Sequence, residues 1–170
     1  MTVYLARHGQ TEENLARIFQ GQLPGRLTEL GREQAVALGR LLEEVPLEAV
    51  VSSDLQRAAD TVRLAVGARH LPWVQSPLFR EIDWGSWTGL KIDEVDRSAV
   101  PADAETPLQL YERAGRCVEY LRRHYPDASV LVVSHLLVGR AIEAQWRGLP
   151  PDALRSVPFL QNAEVRCLQE

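Results

Sequence analysis

A short apolar run, Val3-Tyr4-Leu5-Ala6, ends in Arg7-His8-Gly9 and is followed by Gln10-Thr11-Glu12-Glu13-Asn14. In open α/β sheets the side chains at a strand's carboxyl end converge on the crevice where ligands bind, so Arg7 and His8 are expected to face one. Gly9 lets the backbone turn and come close to that ligand, and Thr11-Glu12-Glu13 reads as the acidic first turn of a helix. Two further strand ends repeat the placement. Ser129 to Ser134 delivers His135, and Ala49-Val50-Val51 is followed one helical turn later by Arg57. Two guanidinium forks around two imidazoles fit a phosphoryl group, whose transfer needs charge stabilisation on three equatorial oxygens and an in-line nucleophile. His8 would attack through one ring nitrogen while the other donates to a carbonyl that fixes the tautomer. A leaving alkoxide needs a proton. Glu81, in Phe79-Arg80-Glu81-Ile82-Asp83-Trp84-Gly85, is placed to give it and then to deprotonate the attacking water.

The elements that must hold these groups alternate between helix and strand along the chain, which predicts an α/β fold. The expected architecture is three-layered, a mainly parallel central sheet with helices on both faces. Thr28 caps a helix with Ala35, Leu38, Leu41, Leu42 and Val45 on one face, ended by Pro46. Ser53-Asp54-Leu55-Gln56 reads as a capping box opening a helix whose inward stripe is Leu55, Ala58, Ala59, Val62 and Val66. Thr106-Pro107-Leu108-Gln109 opens another, lined by Tyr111, Ala114, Val118 and Leu121. After His135, a helix carries Val138, Ala141 and Ile142 on one face. Weak periodicity, flanking tryptophans and later prolines make the segment at about residues 86–106 a small lid beside the site.

At 170 residues the chain suits a single domain spanning 1–170. A hydrophobic content of 45% with 25% charged residues is globular composition, and a formal charge of −4 argues against general binding to nucleic acid or anionic lipid. No apolar run approaches a membrane span, and the first strand leads directly into the Arg7-His8-Gly9 loop, unlike a signal peptide. Cys117 and Cys167 show neither metal-type spacing nor a disulfide framework. A cytoplasmic location is expected.

These residues carry a resemblance to a known family. Arg7-His8-Gly9 with Asn14, then Phe19-Gln20-Gly21 and Leu27-Thr28-Glu29-Leu30-Gly31, resemble successive blocks of the histidine phosphatase superfamily, which includes phosphoglycerate mutases. Ser53-Asp54-Leu55-Gln56-Arg57-Ala58 with Thr61, Arg80-Glu81-Ile82-Asp83, Val133-Ser134-His135 with Arg140, and Gln161-Asn162-Ala163 continue the match over nearly the whole chain. The resemblance implies the phosphoglycerate mutase-like fold, a phosphohistidine on His8, and Glu81 as proton donor. It implies phosphoryl binding by Arg7, Asn14, Arg57 and His135, joined by the backbone N–H of Leu136. Gln20, Gly21 and Trp84 are the candidate substrate contacts, with Trp84 also serving packing, and no metal or other cofactor is implied. Three positions depart from the pattern: Pro24 replaces an acidic residue, Leu136-Leu137 a glycine pair, and Thr88 a glutamate after Trp87.

Other polar residues have plainer readings. His70 and His124 are solvated, Asp54 and Asp60 are helix-end or surface charges, and Glu105 resembles a substrate-side glutamate of the family but is explained almost as well by its place before a helix N-terminus. A metal held by His8, His135 and a carboxylate is disfavoured by the surrounding arginines. A mutase needs extra bases and a substantial cover, and between Leu90 and Pro107 the chain offers only Lys91 and Arg97. The expected function is therefore a phosphomonoesterase acting on a small metabolite such as α-ribazole 5'-phosphate or a sugar or glycerate phosphate. The alternatives are a cofactor-dependent phosphoglycerate mutase or a non-catalytic phospho-ligand binder. The expected partner is a small phosphomonoester, not nucleic acid or membrane, and self-association into a homodimer is left open.

Overall fold

The computed structural model describes residues 1–169. Five strands form one sheet in the order β3-β2-β4-β1-β5: β1 (Thr2–Arg7), β2 (Ala49–Ser52), β3 (Trp73–Gln75), β4 (Ser129–Ser134) and β5 (Val165–Gln169). The β1–β4, β2–β4 and β2–β3 pairs are parallel, and β5 runs antiparallel along β1. The expected mainly parallel sheet is present. Two of its strands gave no clear sequence signal: β3 is three residues long and half exposed, and β5 has only Leu168 buried.

Buried strands of this kind read as continuous apolar runs because both faces are covered. Successive side chains divide between two cores. Val3, Leu5, Val51, Val130 and Val132 pack with Leu110, Ala114 and Leu121 of α4 (Pro107–His124) and Ile142 of α5 (Leu136–Trp146). Ala6, Val50, Leu131 and Val133 pack with Leu38 of α2 (Glu29–Leu41) and with Ala58, Val62 and Val66 of α3 (Gln56–Val66). A one-turn helix, α1 (Glu12–Leu15), follows β1. Buried Glu143 of α5 forms ion pairs with Arg147 and with Arg166 of β5, fastening the edge strand to that helix. Among the described residues no helix is long and apolar enough to cross a membrane.

Helix caps follow the sequence at Thr28, whose hydroxyl accepts from Gly31 N, and at Thr106, which forms a full capping box with Gln109. The capping box expected at Ser53 does not form. Helix α3 starts at Gln56 with Leu55 as its cap residue, the Ser53 hydroxyl accepts from Leu55 N at 3.2 Å, and Asp54 turns instead to a two-pronged ion pair with Arg80 at 2.6 and 2.7 Å. An arginine fork is a stronger partner for a carboxylate than a single backbone N–H. Helix α2 also stops before Pro46, at Leu41, and leaves Leu41 71% exposed while Leu42 turns into the core.

The loop after β1 sits against the first turn of α2. Thr28 N donates to Gln10 O at 3.0 Å, and Gln10 N to Gln34 Oε1 at 2.9 Å. This approach needs two glycines: a Cβ on Gly31 would overlap the Gln10 carbonyl, and one on Gly9 the Gly31 carbonyl. Gly31→Ala is expected to lower stability by about 1–3 kcal/mol through overpacking, read as a lower urea midpoint at unchanged slope. A midpoint equal to that of the natural chain would show that the two backbones are free to separate.

Candidate active site

Parallel pairing of β1 with β4 places Arg7 opposite Ser134, and His8 N donates to Ser134 O at 3.1 Å, so His8 and His135 leave the sheet side by side. Their ring centroids are 5.2 Å apart and both are buried. The Arg57 Nε–H lies between them, 3.3 Å from His8 Nε2 and 3.2 Å from His135 Nδ1. Carbonyls hold the rest of this guanidinium: Gly21 O at 2.8 Å, Pro24 O at 3.4 Å and Leu23 O.

These contacts fix both tautomers. His8 Nδ1 is 2.7 Å from Gly9 O, which can only accept, so Nδ1 carries the proton and Nε2 keeps a lone pair. His135 Nδ1 accepts from Arg57, so the proton of that neutral ring is on Nε2, a buried donor with no partner among the described residues. Arg7 adds a second such donor: its Nη1 bonds Leu160 O at 3.2 Å while its Nε is unpartnered. Buried donors are normally satisfied, so this pair marks where an acceptor belongs. Burial, reinforced by Arg57 and Arg7, holds the pKa of His8 well below its ordinary value, and burial with Arg57 does the same to His135. Arg57 is itself lowered to about 10 by burial, against the opposing pull of Glu81.

Glu81 lies at the amino end of α5. Its carboxylate accepts from Leu137 N at 3.2 and 3.1 Å, from Val138 N at 3.1 Å and from Ile82 N at 3.0 Å. Gly139 N is taken by His135 O, which leaves the Leu136 N–H uncommitted among the described residues. Asn14 uses Oδ1 to accept from Thr11 N and from Asn162 Nδ2, so its own amide hydrogens remain for a ligand. Gln20 Oε1 accepts from the Thr11 hydroxyl at 3.0 Å.

A cavity of about 330 Å³ opens over this cluster. Arg7, His8, Asn14, Arg57, Glu81 and Leu136 line it, as do the candidate substrate contacts Gln20, Gly21 and Trp84. His135 is buried beside this lining, its ring centroid 5.2 Å from that of His8. The sequence did not single out Ile18, Ile92 or Phe159, which also face the cavity and become neighbours only on folding. It also missed Arg113, which braces the acid segment by donating to Leu78 O, Arg80 O and Glu81 O while paired with Glu105 at 2.7 Å. An arginine on an amphipathic helix carries no local signal of such a role. Among the described residues no three His, Cys, Asp or Glu side chains converge as metal ligands would.

Fold and site together define an α/β protein that gathers two histidines and two arginines at the carboxyl ends of a mainly parallel sheet. The chain belongs to the histidine phosphatase superfamily (branch 1), whose family model matches residues 3–170. It is 30% identical to the adenosylcobalamin/alpha-ribazole phosphatase of Escherichia coli K12 over 168 residues, covering 91% of this chain and 83% of that protein. The solved structure of Bacillus stearothermophilus YhfR superposes with a TM-score of 0.91 at 32% identity, over 98% of this chain and 89% of the other. A mycobacterial glucosyl-3-phosphoglycerate phosphatase solved with VO3 gives 0.90 at 30% identity, over 99% and 92%.

Because the fold disfavours the charged imidazoles, His8 and His135 are expected to stay neutral as the pH falls through about 6.5, where an unperturbed histidine is half protonated. The unfolded chain then binds more protons than the folded one. The contribution to stability is complete above about pH 6.5 and declines as the pH drops toward the lowered folded-state values. Imidazole resonances followed from about pH 8 to about pH 5 check this, and a midpoint at or above 6.5 for either ring would contradict it.

Proposed function

We propose that this chain is a metal-independent phosphomonoesterase that passes a phosphoryl group through His8 to water. One observation carries the reading: a neutral imidazole whose unprotonated Nε2 accepts only a long, shared hydrogen bond from Arg57 Nε stands beside two buried donors, Arg7 Nε and His135 Nε2, that lack an acceptor among the described residues. A phosphoryl group supplies the electrophile for the first and oxygens for the others. Arg57, the Leu136 N–H and the Asn14 amide complete the anion site.

In the first step His8 Nε2 forms a bond to phosphorus as the ester P–O bond breaks, and Glu81 gives its proton to the leaving oxygen. In the second, Glu81 takes a proton from water, the water oxygen bonds to phosphorus and the N–P bond breaks. The net change is ester plus water to alcohol plus phosphate. Gly9 O holds the Nδ1 proton of His8 throughout, stabilising the charge that phosphorylation places on the ring.

The segment at about residues 86–106 serves as the lid of one domain. Its Ile92 and Arg97 line the cavity, and it is pinned by the Arg17–Asp93 ion pair and the Ile18–Lys91 bridge. The substrates named for the E. coli and mycobacterial relatives support a small phosphorylated metabolite as the ester and a cytoplasmic setting. Gln20, Gly21 and Trp84 are the contacts for the alcohol portion.

Phosphate release from a panel of phosphomonoesters in EDTA tests the reading. His8→Ala is expected to keep its fold, lose turnover and lose acid-labile phosphoprotein, while Glu81→Gln lowers kcat by about 10²–10⁴-fold. Undiminished release by His8→Ala would rule out the phosphohistidine. Isomerisation of 3-phosphoglycerate without net phosphate release would make the chain a mutase.

A further inference from the structure

Beside the phosphate cavity lies a second one of about 310 Å³, with Phe19, Trp84, Arg97 and Leu137 as shared walls. The remaining floor is largely apolar, built from Ile82, Trp87, Leu110 and Leu154. Phe19 stacks on Trp87 at 4.8–5.1 Å from the two indoles, edge-on to Trp84 and face-on to Trp87, so one side of the cavity is a fixed aromatic wall. The rim is cationic. Arg97, Arg140 and Arg155 all reach it, and its one acid, Glu105, is engaged by Arg113.

Two of these arginines, Arg140 and Arg155, belong to the second cavity alone and have no carboxylate partner among the described residues. Arg140 lies over the Phe159 ring, with its guanidinium carbon 3.3 Å from the centroid, and its buried Nε has no hydrogen-bond partner among the described residues. Arg155 forms no ion pair or side-chain hydrogen bond among the described residues. Burial, with the neighbouring Arg155 cation second, lowers the pKa of Arg140. A planar fork held on a ring face and short of an acceptor is suited to a carboxylate or phosphate.

We infer that the second cavity is a leaving-group subsite for phosphomonoesters whose alcohol is flat and apolar and bears its own anionic group, with the aromatic wall taking the flat body and Arg140 with Arg155 taking the anion. This rests on the phosphomonoesterase reading for the position of the ester phosphate, and it adds a substrate class that the phosphate site does not define. A compact polyhydroxylated alcohol leaves the aromatic wall uncovered, and a neutral aryl group leaves the two arginines unpaired. Only a group with both features satisfies the cavity.

The test uses 2-naphthyl phosphate, its 6-carboxylate derivative and glycerol phosphate, with the natural chain and with R140Q/R155Q, a pair of changes that remove the charge and keep a polar side chain. The kcat/KM ratio of carboxylated to plain naphthyl ester is expected to fall about tenfold or more in the variant, as loss of charge-assisted hydrogen bonds requires. Each ester's intrinsic reactivity cancels in that comparison. A second readout needs no turnover: 6-hydroxy-2-naphthoate, the leaving alcohol, is expected to quench the fluorescence of the cavity tryptophans and to bind about tenfold more weakly to R140Q/R155Q. Equal ratios and equal binding in the two proteins would overturn the subsite while leaving the phosphatase intact. No phosphate release from any ester, with charge-dependent naphthoate binding retained, would overturn the phosphatase reading and leave the subsite standing.

Discussion

The pairing of β1 with β4 sets everything at the site. Two neighbouring parallel strands in the register Arg7 opposite Ser134 must release His8 and His135 side by side. Side-chain period two makes a slip of one residue intolerable, since it would send each apolar row to the wrong core. Val3, Leu5, Val130 and Val132 are fixed under α4 and α5, and Ala6, Leu131 and Val133 under α2 and α3. The 5.2 Å separation of the imidazoles is thus held by packing on both faces of the sheet rather than by any bond between the rings.

Crowding cations and imidazoles into one buried corner is unfavourable until an anion arrives, and the surrounding backbone limits that cost. Carbonyls of Gly21, Leu23 and Pro24 accept from Arg57, and among the described residues no carboxylate hydrogen-bonds this guanidinium. Pro24 stands where the family resemblance leads one to expect an acid, and its carbonyl takes over the positioning without neutralising the charge. Both histidines respond by remaining neutral, which gives His8 a lone pair and His135 a directed N–H. The unsatisfied donors and the unprotonated His8 Nε2 are two consequences of one electrostatic arrangement.

Sequence reading worked where the cause of structure is local. Caps at Thr28 and Thr106, the apolar runs of β1, β2 and β4, and the residue types at their ends all speak within a few positions. It failed where the deciding partner is distant. Ser53 does not cap α3, and Asp54, read as a helix-end charge, is held by Arg80, twenty-six residues away. Strand β3 exists because Val50 and Ser52 offer it a ladder, not because Trp73-Val74-Gln75 is itself strongly strand-like. Arg113 and Phe159 reach the site from a helix face and a loop whose sequences give no reason to look there. Leu41 shows a subtler limit: α2 ends one residue before Leu42, and the local turn decides which leucine goes inside.

The amino end of α5 shows why the glycine pair of the family pattern is replaceable here. Only backbone N–H groups are used at these positions: Leu137 and Val138 donate to Glu81, and the Leu136 N–H is left over for the proposed anion site. A helix N-terminus supplies such donors whatever the side chains are. Side chains at 136 and 137 are therefore free to vary without disturbing the proposed chemistry, and Leu137 has become part of the wall between the two cavities. At Leu137 the backbone N–H holds Glu81 while the side chain of the same residue shapes the second cavity. Positioning of the proposed acid and shaping of the proposed leaving-group space are thereby separated within a single residue, so one can change without the other.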